Sequence, residues 1–212
     1  MCFSIESSLT AYIIGSIASL YLLINGDKYD KHIGLFSLIF VQMQLAEFFM
    51  WLDQNCTNIN HYASIYAEYI IFLQPFSILL GALLFKTTNI SNKILHLILL
   101  VYVIYILLLS KQIINNKKKL CSKSINNGHL EWEFVKKYSS ADYYLYFIFM
   151  FLIWPFLNNK KGILVFIFSI ISLLFGVTKN LKFDFTQWES KWCFYGVLLP
   201  GIIILYNLIY KK

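Results

Sequence analysis

"VQMQLAEFFMWLDQNC", residues 41–56, is the stretch whose reading decides the fold. Its Leu, Ala, Phe, Met and Trp would enter a bilayer, yet Glu47 stands among them with Gln42 and Gln44 just upstream. A carboxylate in mid-membrane costs about 2.5–3.5 kcal/mol on insertion scales, less near the interface. Such residues face the interior of a helix bundle. The stretch therefore reads as part of a membrane helix whose inner face is polar.

The rest of the chain agrees. Of 212 residues, 58% are hydrophobic and only 14% charged, too little polar surface for a soluble domain. Apolar blocks near 8–25, 32–52, 62–85, 94–110, 142–158, 162–178 and 192–210 approach the roughly 20 residues a membrane helix needs. They are continuous rather than alternating, which favours helices over a barrel. The expected class is all-α: a polytopic integral membrane protein of one domain, 1–212, with seven transmembrane helices and six as the alternative count. The first block is not a cleavable signal, since Glu6 is the only charge before it. Every basic residue is Lys, and the net charge of +7 lies in loops and tails, which suggests anionic headgroups and no nucleic acid. Short basic segments near 26–31, 86–93, 159–161 and the C-terminus place the N-terminus outside and the C-terminus in the cytoplasm.

The segment 111–141 is the largest extramembrane piece. Asn126-Asn127-Gly128 reads as a turn, and Leu130, Trp132 and Phe134 alternate with His129, Glu131 and Glu133. A small β-hairpin over the helix ends, between the fourth and fifth helices, is expected. Pro75, Pro155 and Pro200 each fall inside a block and read as kinks. Trp188 and Trp192 read as interfacial anchors, and His32 and His96 as interfacial residues. Cys2, Cys56, Cys121 and Cys193 all fall on one side, so one or two disulfides are expected. Sequence does not choose among the three connectivities. Cys121–Cys193 would tie the hairpin to the last helix, and Cys2–Cys56 would tie the N-terminus to the second–third loop. Asn55-Cys56-Thr57 is a glycosylation sequon on the same side.

Phe40, Gln44, Glu47 and Trp51 share one helical face, and His61, Ser64, Glu68, Phe72 and Pro75 share another on the next helix. The two helices are consecutive, so they should pack antiparallel with Glu47 and Glu68 at comparable depth. The expectation is a carboxylate pocket near the N-terminal membrane face. Gln44, Glu47, Ser64 and Glu68 would form it, with His61 and Trp51 beside them and the hairpin above. It would bind or pass a proton, a cation or a small polar ligand, as in a transporter or channel. One alternative is a structural or interaction protein whose carboxylates hold helices together. The other is an intramembrane metal-dependent hydrolase using Glu47, Glu68 and His61. No metal site, cofactor or catalytic residue is otherwise indicated: there is no CxxC, HExxH, potassium filter, serine elbow, phosphate loop or retinal lysine.

"MCFS" at the N-terminus, Gln44-x-x-Glu47 with Trp51 following, and Trp192-Cys193-Phe194 opening the last helix resemble a family of uncharacterised multi-pass membrane proteins of bacteria and large DNA viruses. The resemblance implies that Cys2, Gln44, Glu47, Trp51, Trp192 and Cys193 belong to one feature on one membrane face. It implies no activity.

Overall fold

A computed structural model describes residues 4–115, 119–125, 129–179, 182–183 and 188–210. Helix α1 (Ile5–Asn25) starts at a Ser4 cap that exchanges hydrogen bonds with Ser7. Asp27 and Asp30 cap α2 (Lys28–Phe40) in the same reciprocal way. The second apolar block then breaks at Val41 and continues as α3 (Gln42–Leu52). At that break the Gln42 side chain donates to the Leu38 carbonyl at 3.1 Å. Helix α4 (Asn58–Phe85) follows, then α5 (Asn92–Asn115).

The expected hairpin is present but short. Strand β1 (Lys123–Ile125) pairs antiparallel with β2 (His129–Glu131), Ser124 opposite Leu130. The turn at 126–128 lies outside the described residues. Leu130, Trp132 and Phe134 are buried as their alternation suggests. Beyond Trp132, however, the chain winds into a 3₁₀ turn, Glu133–Lys137, instead of extending the strand. Helix α6 (Ser140–Phe151) and a 3₁₀ turn, Trp154–Phe156, lead to α7 (Lys160–Val177). A second hairpin, β3 (Thr178–Lys179) with β4 (Lys182–Phe183), had no counterpart in the sequence reading. The chain closes with α8 (Trp188–Gly196) and α9 (Leu199–Tyr210).

Among the described residues six helical stretches are long and apolar enough to cross a membrane, which fits an integral, multi-pass membrane protein. The fifth expected span is the exception. Its helix α6 has 12 residues, about 18 Å at ~1.5 Å per residue against a hydrocarbon core of about 30 Å. Tyr138, just before α6, bonds Glu68 in the middle of α4. Tyr146 bonds Gln74, and Leu157 bridges Thr88 beyond the end of α4. Segment 138–157 thus runs alongside the second half of α4 only, and the loop descends into the bundle to meet it.

The prolines divide accordingly. Pro75 lies inside α4, and the nearby Phe72 carbonyl accepts the Tyr102 hydroxyl at 2.8 Å. Pro155 ends α6 in a 3₁₀ turn, and Pro200 sits in the first turn of α9, where its missing N–H costs nothing.

The two ends of the bundle differ. At one end lie the hairpin and the α3–α4 loop. At the other, Lys161 Nζ reaches Asp27 at 2.9 Å and Asp30 at 2.5 Å, with Lys161 3% and Asp30 0% exposed. His32, expected at the interface, is instead fully buried there. Its ring nitrogens lie 2.8 Å from Thr87 Oγ1 and the Ile78 carbonyl, and the ring packs on Trp154. Gly81 leaves room for that ring: a Cβ there would collide with it. His96 is exposed near the start of α5.

Candidate functional site

Both sequence-predicted faces point inward. Gln44, Glu47, Ser64 and Glu68 are all 0% exposed. Helix α4 carries Asn60, Ser64 and Glu68 at successive i, i+4 positions, a polar seam among Ala63, Ala67 and Ile70. The two carboxylates nevertheless have different partners. Gln44 Nε2 donates to Glu47 Oε2 at 3.0 Å. Glu68 accepts from the Tyr138 hydroxyl. Trp51 is half-buried, and its indole N–H is enclosed without an acceptor among the described residues.

Ser64 and His61 serve the hairpin loop instead of a pocket. Ser64 Oγ lies 2.9 Å from Ser122 Oγ. His61 Nδ1 accepts the Leu120 N–H at 3.1 Å. Asn60 is the hub of this anchor. Its amide donates to the Ser122 carbonyl at 2.8 Å and the Asp53 carbonyl at 2.9 Å, and its oxygen accepts the Ser122 N–H at 2.8 Å. Asp53 receives the Thr57 hydroxyl at 2.6 Å and the Asn60 N–H at 2.9 Å. The Thr57 hydroxyl bond leads in holding the Asp53 carboxyl below its ordinary 3.8. The Cys56–Cys121 disulfide closes the same junction, its Cα atoms 5.4 Å apart. Of the connectivities that sequence left open, the structure shows Cys56 with Cys121, not Cys121 with Cys193; Cys193 is a free and buried thiol, and Cys2 lies outside the described residues. Asn55 of the sequon is exposed.

The space near the carboxylates is a cavity of about 50 Å³ walled by α4, α5, α6, α8 and the 3₁₀ turn. That is room for a few water molecules. Phe72, Tyr105, Trp132, Tyr138, Tyr143, Tyr146 and Trp192 supply its aromatic walls, and Asp142, Glu189 and Cys193 its polar groups. Glu68 stands behind Tyr138. Cys193 lies near Glu47 and Glu189. Asp142 caps α6 through Ser139 and is 3.4 Å from the Tyr105 hydroxyl. Tyr146 closes one side of the cavity on Gln74 at 2.5 Å. No lysine lines it. Trp192, expected as an interfacial anchor, is a core residue 4% exposed whose indole N–H donates to Ser172 at 3.0 Å.

Sequence reasoning missed Tyr138, Asp142, Tyr143, Tyr146 and Glu189. The available signal was the tyrosine-rich run "YSSADYYLY" at 138–146. Among the described residues no group of three His, Cys, Asp or Glu side chains could hold a metal ion, so the hydrolase alternative lacks a donor set. No protein-family description, curated protein or solved structure matches the chain.

Proposed function

We propose that this membrane protein binds a small organic ammonium ion in the aromatic cavity beside Glu47 and Glu68. The observation that carries the reading is the wall itself: seven aromatic rings and two carboxylates around one space, with no lysine among the described lining residues. Ring faces attract cations by about 0.5–1 kcal/mol when exposed and about 2 or more when desolvated, and they favour weakly hydrated ammonium groups. Glu189 and Asp142 supply the opposing charge, and Glu68 and Glu47 form a second acidic layer. Binding rather than passage is favoured because Tyr146 and Gln74 close one side of the cavity. The chain passes the bundle seven times in this reading, with α6 and the descending loop sharing the fifth pass. The N-terminus is outside and the C-terminus cytoplasmic. The resemblance to multi-pass proteins of bacteria and large viruses adds no activity to this.

The test is tryptophan fluorescence of the purified protein, since Trp132 and Trp192 line the cavity. Methylammonium and dimethylammonium chloride should quench it saturably, while sodium and potassium chloride at equal ionic strength should not. Glu189→Gln should weaken binding about tenfold, the equivalent of ~1.4 kcal/mol. Absence of saturable quenching would refute the reading. The structural alternative draws support from Ser64, His61 and Asn60, which hold the loop in place. It predicts that Glu47→Gln and Glu189→Gln leave every ligand response unchanged.

A further inference from the structure

A second cavity has a different character. A groove of about 540 Å³ lies between α1 and the α8–α9 segment. It does not share a residue with the aromatic cavity. Its inner part is apolar, lined by Ala18, Leu198 and Gly201, whereas Glu6, Ser7 and Thr10 lie at the end where α1 begins. The flanking outward residues Ile13, Ile14, Ile17 and Leu198 are 46–65% exposed, as lipid-facing residues of a membrane helix are. A Cβ built on Gly201 would meet nothing within 4 Å, so the groove there is open space and not tight helix packing.

This order of polarity along one groove is that of a phospholipid: a headgroup at the helix start and an acyl chain running inward. Among the described residues the one charge in the lining is Glu6. We infer that the groove between α1 and α9 is a binding site for a phospholipid with a primary-amine headgroup, its ammonium against Glu6 and one acyl chain beside Gly201. The headgroup preference runs opposite to the chain's net charge of +7, which by itself would draw anionic lipid. Charge at the site, not charge on the whole protein, sets the choice. Thr10, which lines the same end, carries a hydroxyl that can donate to the phosphate that follows the amine.

Native mass spectrometry of the full chain, purified in detergent with equal phosphatidylethanolamine and phosphatidylglycerol, tests this. Wild-type protein should retain one phosphatidylethanolamine, preferred about fivefold over phosphatidylglycerol as a half-exposed ion pair allows. Glu6→Gln should still bind lipid but lose the preference. Gly201→Leu fills open space and should keep the wild-type melting temperature while losing the bound lipid. Equal retention of both lipids by wild type would overturn the inference. So would a Gly201→Leu variant that holds phosphatidylethanolamine as wild type does. A wild-type dimer that Gly201→Leu dissociates would assign the groove to a second copy of the chain and overturn it as well.

Discussion

Replacing Asn60 by Ala should release the hairpin loop from the bundle. Three short hydrogen bonds would vanish, two with the Ser122 backbone at 2.8 Å and one with the Asp53 carbonyl at 2.9 Å. Two of them contribute about 1 kcal/mol each net, and the third strands a buried N–H at a cost of about 1–2 kcal/mol. Ser122 is 0% exposed, so its N–H would be stranded in this way. The sum is about 3–4 kcal/mol. The disulfide and the bonds from Leu120 to His61 and Ser124 to Gln54 stay in place. The loss should therefore appear as local opening of 119–125 rather than as global unfolding. Hydrogen exchange followed by mass spectrometry reads that opening directly. The Ser122 amide should exchange about 100- to 500-fold faster in the variant, since ~1.4 kcal/mol is a factor of ten. Asn60→Asp, which keeps the acceptor oxygen for Ser122 but removes both donors, should fall between. Exchange within about threefold of wild type, under ~0.7 kcal/mol, would refute the hub role of Asn60. The same opening should weaken ammonium binding, because Trp132, Val135 and Tyr138 reach the cavity from the chain that follows the hairpin.

Three further outcomes follow from other parts of the bundle. Lys161→Met deprives the buried Asp30 of its ammonium neighbour and should cost about 3–5 kcal/mol, read as a lower melting temperature in detergent; an unchanged melting point would contradict it. Lys86 ends α4 in the left-handed region, φ 51°. Lys86→Gly should stabilise by about 0.5–1 kcal/mol in the same assay, and destabilisation would show that its side chain matters more than its backbone. Asp53 titrates below its ordinary 3.8 when folded. Its contribution to the α3–α4 loop is then complete above that value and is lost as pH falls through the lower folded value. Exchange of the Asn60 amide should accelerate, relative to its intrinsic rate, between pH 5 and pH 2 in wild type, and Asp53→Asn should remove that acceleration.

Much of the inner architecture was legible because burial follows helical spacing. Glu47 and Glu68 were placed on inward faces from the 3- and 4-residue periodicity alone, and both are fully buried. Their partners were not legible. Tyr138 meets Glu68 across 70 residues of sequence, and Cys121 meets Cys56 across 65. Neither separation has a periodicity to read. Ser64 shared a face with Glu68, but a wheel does not say which end of that face a loop will cover. Asn60 continued the Ser64–Glu68 spacing and could have been read from it. His32 looked interfacial because it follows charged residues, yet Lys161 offsets Asp27 and Asp30 and lets that helix start sit inside the protein. The fifth block reads longer than its helix because the composition stays apolar through Trp154, whereas α6 stops at Phe151 ahead of Pro155.

The aromatic cavity is the centre of the account, and a heavy-atom ammonium analogue locates its ligand most directly. Caesium is a weakly hydrated monovalent cation small enough for a cavity of this size, and it scatters anomalously. Crystals of the protein soaked in caesium chloride should show a caesium peak inside the cavity, between the Tyr138 and Trp192 rings and facing Glu189, and Glu189→Gln crystals should show a much weaker one. An empty cavity in wild-type crystals whose caesium peaks lie only at the outer surface would contradict the cation-binding assignment.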